Sequence, residues 1–165
     1  MSESSLTSEQ FRRACGQWAT GVSIVTTVDK AGKPYGLTMN AVTSLSLNPP
    51  MFIACVDNNS DTLGPMRESQ VYCINVLTSA QQDLSNRFAK KGEGKFEGVD
   101  FAPGVTGAPV LGGVLLAIEC TVTAVLPGGD HQIMCGEVRR IVSNDTPDVA
   151  PLLYFGGRYA AVAKP

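Results

Sequence analysis

The stretch VLLAIECTVTAVL (114–126), PGGD (127–130), HQIMCGEVRRIV (131–142) decides the fold. Two long runs rich in β-branched residues flank four residues of turn chemistry, the pattern of a β-hairpin with a tight turn. Upstream, Met51 to Val56 and Val71 to Leu77 are apolar runs of strand length, and Val22 to Val28 is another β-branched run. Asp29 to Pro34 is turn-like, and Leu37 to Leu47 alternates loosely until Asn48-Pro49-Pro50 stops it, so two paired strands are predicted there. Helices are fewer. Thr7 to Gln10 carries capping residues ahead of Phe11, Ala14, Cys15 and Trp18 at helical spacing, which predicts an amphipathic helix ending near Gly16. Asp61-Thr62-Leu63 opens a short helix and Ser79 to Lys90 forms another, while Lys91 to Gly104 reads as a glycine-rich, charged loop. Strands outnumber helices without regular alternation, so the expected fold is mainly β, a closed antiparallel barrel with peripheral α-helices.

With 165 residues, no linker and no repeat, a single domain over 1–165 is expected, with about residues 1–7 as a flexible start. A hydrophobic content of 44% marks a globular chain, and a net charge of −2 offers no field for nucleic acid. No apolar run approaches the roughly 18 residues that cross a bilayer, so no membrane partner is expected. The serine-rich start lacks the basic-then-apolar order of a secretory signal, which sets a cytoplasmic expectation. Five cysteines without CxxC spacing, most of them inside apolar runs, read as small buried hydrophobes, and no metal site is expected.

Standard catalytic signatures are absent: GxSxG, GxxxxGK[ST], HExxH and GxGxxG do not occur, and His131 is the single histidine. A cofactor that carries its own chemistry accounts for that poverty. Leu37 to Ser46 is small and polar for a strand. It reads either as a half-exposed strand with threonines toward water or as a wall that hydrogen-bonds a flat heterocycle through Thr38, Asn40 and Ser44. Asp57 to Thr62 reads either as a capped turn or as a loop that meets a phosphate. Arg87-Phe88, with Lys90, Lys91 and Lys95 nearby, reads as a solvated helix end or as a guanidinium and a ring for the same ligand.

In order along the chain, several pieces resemble the flavin reductase-like family, the reductase partners of two-component flavin monooxygenases. They are Phe11 to Trp18 and Ala19-Thr20-Gly21-Val22, Thr38 to Ser46 running into Asn48-Pro49-Pro50, Tyr72 to Leu77, Arg87-Phe88, Gly128-Gly129-Asp130-His131, and Leu152 to Tyr159. The resemblance implies an FMN-binding split β-barrel of Greek-key type, usually a homodimer. It implies FMN or FAD as cofactor, NADH or NADPH as co-substrate and a partner flavin-dependent monooxygenase. It further implies that Pro34, Tyr35, Gly36, Leu37, Thr38, Met39, Asn40 and Ala41 line the isoalloxazine, continued by Ser44, Leu45 and Ser46. Cys55, Val56 and Asp57 would lie beneath the ring. Ser60, Asp61 and Thr62, with Arg87 and Phe88, would meet the phosphate end. On the nicotinamide side it places His131, as the positioning residue, with Tyr154, Phe155, Gly156, Gly157 and Tyr159. Asn58-Asn59 stand where many relatives carry lysine or serine, so FMN and FAD both stay open. Two rivals stand beside this reading: a non-catalytic flavin- or haem-binding barrel, and a flavoprotein that reduces another acceptor.

Overall fold

The computed structural model describes residues 6–162. In chain order the elements are α1 (Ser8–Cys15), β1 (Thr20–Gly21), β2 (Ser23–Val28), β3 (Pro34–Met39), β4 (Val42–Leu47), β5 (Pro50–Asp57), α2 (Leu63–Ser69) and β6 (Val71–Val76). A 3-10 turn (Ser79–Gln81) leads into α3 (Gln82–Phe88), followed by β7 (Phe101–Pro103), β8 (Pro109–Leu111), β9 (Leu116–Gly128), β10 (His131–Ser143), β11 (Leu153–Phe155) and β12 (Arg158–Ala160). Of the expected flexible start, residues 1–5 lie outside the described residues. Thr7 is fixed: it is the N-cap of α1 and forms a capping box with Gln10.

The hairpin forms as the sequence predicts. β9 and β10 pair antiparallel with His131 opposite Gly128, and the loop between them is Gly129-Asp130, with Gly129 at φ 70°, where a side chain would be strained. Around it lies a seven-stranded antiparallel sheet in the order β3-β2-β6-β9-β10-β5-β4. The ladder ends on β3 and β4, which are neighbours in sequence. Here the structure corrects the single strand expected from Leu37 to Leu47. It breaks at Asn40-Ala41, because the first half pairs with β2 and the second with β5, at the other end of the ladder. The break is held by the Cys55 N–H, which donates to the Ala41 carbonyl at 2.9 Å.

One core cluster takes side chains from all seven strands, among them Val25, Leu37, Val42, Ala54, Ile74, Ile118 and Met134, and is plugged by Leu63 and Met66 of α2. Such alternating inward residues supply most of the apolar burial that drives folding. A second cluster on the outer face of β2, β6 and β9 is covered by Phe88 of α3, Leu111 and Val114. Buried Asn75 clamps that cover: its amide donates to the Ile24 carbonyl at 3.1 Å and its Oδ1 accepts from the Leu111 N–H at 2.9 Å. A separate three-stranded sheet, β1-β11-β12, borders the first. β7, β8, β11 and β12 have three residues each, too few for alternation to show in the sequence.

Helix α1 buries none of its residues on the rest of the chain, and Phe11 and Trp18 are 58% and 76% exposed. Cys73, Cys120 and Cys135 are buried as expected, Cys55 is half-buried, Cys15 is exposed, and none forms a disulfide. Burial pushes the Cys120 thiol up to about 11. Among the described residues no helix is long and apolar enough to cross a membrane.

Candidate functional site

Three cavities follow one another along the edge strand β3 and its exit. At the exit, a groove of about 700 Å³ runs between Asn40, Ala41 and Thr43 on one side, Cys55 and Ile53 on another, and Trp18 and Thr20 on a third. In mid-strand, a pocket of about 150 Å³ is lined by Leu37 and Thr38, by Asp57, Asn59, Ser60 and Asp61, and by Lys90, Lys91 and Lys95. At the start of β3, a cavity of about 310 Å³ lies against Lys33, Pro34 and Tyr35 and shares Asp61 and Lys95 with the second.

The middle pocket is stitched from two loops. The Asn59 N–H donates to Asp57 Oδ1 at 2.7 Å, and the Gly92 N–H donates to Asp61 Oδ2 at 3.1 Å. These backbone hydrogen bonds, with His131, Lys91 and Lys95 as weaker electrostatic partners, hold both carboxyls below the ordinary aspartate value. Lys91 Nζ donates to the Asn59 carbonyl at 3.2 Å and Lys95 Nζ to the Gly36 carbonyl at 3.1 Å. Partial burial lowers the Lys95 pKa, against the pull of Asp61. Three ammonium groups thus face two carboxylates, and one of the three is short of solvent. An anion in this pocket offsets that lost solvation.

His131 opens β10 and pairs across β5 with Asp57. Its Nδ1 lies 2.6 Å from Asp130 Oδ1, where an Nδ1–H donates to the carboxylate and fixes the ring. The turn and the Asp57 loop are locked together: the Asn58 N–H donates to the Asp130 carbonyl at 2.9 Å, and Gln132 Nε2 to Asn58 Oδ1 at 2.9 Å. On the other wall, Tyr159 Oη lies 2.9 Å from Ser85 Oγ, and Ser85's carbonyl accepts from Thr38 Oγ1 at 2.7 Å. Tyr154 pairs with Thr20 and packs edge-on against Tyr159, and the Gly156 N–H donates to the Gly16 carbonyl at 2.7 Å. Tyr154 thus lies beside Thr20 of the groove wall and Tyr159 reaches Ser85, whereas His131 lies beside Asp57 of the lysine pocket; none of the three lines any of these cavities itself. Among the described residues, no hydrogen bond links the two tyrosines to His131.

Several expected site residues sit elsewhere. Val56 is fully buried in the core and Met39 packs against it, because both fall on the inward phase of their strands. Phe88 does border the middle pocket, but it is 1% exposed and edge-on to Phe96 at 4.9 Å, so its ring is not open for stacking. Gly36 is pressed against it: a Cβ there would come within 2.9 Å of the Phe88 ring. Arg87 turns away, its Nη1 donating to the Glu97 carbonyl at 2.9 Å, and the cationic wall belongs to the lysines instead. Ser44, Leu45 and Ser46 lie beside Met51 and Phe52, at the far end of β5 from Asp57. Pro34 and Tyr35 line the third cavity, not the groove at Asn40. Thr62 is buried, its N–H donating to Ser60 Oγ, and the helix after it has only seven residues. Trp18 as a wall of the groove and Ser85 as the hydrogen-bond partner of Thr38 were not legible from local pattern, since only the fold brings the α1 exit and α3 to β3.

Fold and cavities together define the class: an antiparallel β protein with a cationic pocket and an open groove strung along one edge strand. The chain belongs to the flavin reductase like domain family, which it matches over residues 15–163. It is 36% identical over 152 residues to the reductase subunit HsaB of a flavin-dependent monooxygenase from Mycobacterium tuberculosis, covering 92% of this chain and 81% of that one. Component B of a nitrilotriacetate monooxygenase from Mycobacterium thermoresistibile superposes with a TM-score of 0.90 at 36% identity, covering 94% of this chain and 86% of the other. The NADH:FAD oxidoreductase SgcE6 of Streptomyces globisporus, solved with NAD and FAD fragments, gives 0.87 at 32% identity, over 94% and 92% of the two chains.

Proposed function

We propose that this chain is an NAD(P)H-dependent flavin reductase that takes FMN or FAD and a reduced nicotinamide and supplies reduced flavin to a partner monooxygenase. The observation that carries the reading is the continuity of pocket and groove. Thr38 and Asp57 line the pocket, and Asn40 and Cys55, each two residues away along the chain, line the groove. A phosphate anchored at the lysines therefore leaves a flat ring lying toward Asn40 and Cys55. The relatives named above, a reductase subunit and an NADH:FAD oxidoreductase, support it.

The residues present fit a flavin: cations for its phosphate, short polar groups and a half-buried thiol for its ring. The flavin, when bound, supplies the hydride acceptor. Lys90, Lys91 and Lys95 hold the phosphate end. Burial, and secondarily Cys135, raises the Cys55 pKa, so the wall stays neutral beside the ring. His131, fixed by Asp130, orients the nicotinamide, so that proximity and alignment carry the rate. No protein nucleophile takes part.

The same reading makes the chain one domain over 1–165, with its sheet curled into a barrel split between β3 and β4; the single cluster fed by all seven strands supports that closure. It makes the chain a homodimer, supported by the uncovered α1 and by Leu47 at 95% exposure. It places the chain in the cytoplasm, supported by five unpaired cysteines. Supply of flavin to a partner is tested by anaerobic dialysis. With protein and reduced nicotinamide on one side of a membrane that excludes the protein, reduced flavin accumulates beyond one equivalent per chain on the other; flavin that never leaves the protein contradicts the reading.

A further inference from the structure

The third cavity has no role in holding an FMN, which ends at its phosphate. It begins where the lysine pocket ends, through Asp61 and Lys95, and continues the line of β3 toward the Asp29–Lys33 turn. From Asn40 to Tyr35 the chain covers five residues, roughly 16 Å, so the three cavities lie in a row along β3 and its exit with the cationic pocket in the middle. Their order is ring groove, cationic pocket, third cavity, which is the order of parts in a flavin dinucleotide.

The lining matches the chemistry of an adenosine. Tyr35 is half-buried and offers an aromatic platform, its hydroxyl 3.4 Å from Asp29 Oδ2. Asp61, Glu93 and Glu97 supply carboxylate acceptors for ribose hydroxyls and an exocyclic amine. Lys95 at the shared boundary and Lys33 at the rim supply cations for a second phosphate. Lys33 also lies 5.5 Å from the Tyr35 ring centroid and 2.9 Å from Glu93 Oε1. Both partners of that pair are exposed, so it bridges the rim as a surface contact that solvent weakens.

We infer that the cavity of Lys33, Tyr35, Asp61 and Glu93 is an adenosine-phosphate subsite that makes this chain select FAD over FMN. The inference rests on the flavin reductase reading, which fixes what lies in the neighbouring pocket. An adenosine phosphate also occurs in the nicotinamide co-substrate. Continuity with the lysine pocket assigns the subsite to the flavin, and the experiment separates the two.

The test is an equilibrium titration of the flavin-free protein by flavin fluorescence. The wild type binds FAD about tenfold more tightly than FMN, and Tyr35→Ala loses most of that preference by weakening FAD alone, while Tyr35→Phe keeps it. In the wild type, adenosine diphosphate displaces FAD about tenfold better than inorganic pyrophosphate does, a comparison independent of any variant's folding. Equal displacement by the two probes, or an FAD-to-FMN ratio that Tyr35→Ala leaves unchanged while FMN still binds, overturns the subsite but leaves the reductase reading standing. A Tyr35→Ala effect confined to the KM for NADH at saturating FMN gives the cavity to the co-substrate and overturns the flavin assignment. A wild type that binds neither flavin overturns the reading and this inference with it.

Discussion

In the proposed function His131 acts through position. Asp130 holds its Nδ1, and the ladder places it beside Asp57 at the edge of the lysine pocket. Both partners are accessible, so the contact orients the ring more than it stabilises the fold. His131→Ala is therefore expected to raise the KM for the nicotinamide about tenfold while the Kd for flavin stays within about twofold, read by steady-state kinetics and fluorescence titration. Gly36 is a residue of the opposite kind. Its missing side chain lets β3 close on Phe88, and a Cβ 2.9 Å from that ring forces a shift in a tightly packed cluster. Gly36→Ala is expected to cost about 1–3 kcal/mol in denaturant unfolding, with β3 and its flavin contacts loosened together.

At the scale of elements, the site is a loop-and-strand assembly pinned to a rigid hairpin. The Asp57 loop hangs on the β9–β10 turn through Asn58, and the Lys90–Lys95 segment hangs on that loop and on β3. In the proposed function the lysines act as point charges on a phosphate, so Lys91→Ala with Lys95→Ala is expected to weaken flavin binding tenfold or more. Added salt weakens wild-type binding more than the double variant's, which a titration across ionic strength reads. How much of this was legible in the sequence follows from period and phase. The β9–β10 hairpin was legible because two long β-branched runs flank PGGD, although Pro127 and Gly128 still pair and only Gly129-Asp130 form the loop. The break at Asn40-Ala41 was not, since it depends on which partner each half finds. Val56 lies one residue from both Cys55 and Asp57, and that single step carries it from the site to the core. Arg87 sits in the last turn of α3 and reaches the Glu97 carbonyl, while Lys91, past the helix end, faces the pocket, a difference that depends on where the helix stops.

For the whole molecule, the family resemblance rests on the order of many short pieces, none specific alone. The seven-stranded sheet and the relatives agree with that order. What no single segment revealed is the apolar surface left over: Phe11, Trp18 and Leu47 stand exposed on a chain whose α1 covers nothing of its own. Light scattering is expected to give twice the chain mass, and Trp18→Glu to shift the protein toward the monomer with a loss of flavin affinity, since Trp18 also walls the ring groove. The central claim is that this channel along β3 exists to bring a reduced nicotinamide and a flavin together. It is tested most directly by following nicotinamide absorbance with purified protein, NADH or NADPH, and many equivalents of free FMN or FAD. Sustained oxidation over many turnovers, dependent on added flavin and lost with the double lysine variant, is the predicted result; no oxidation with any of the four pairs contradicts the account.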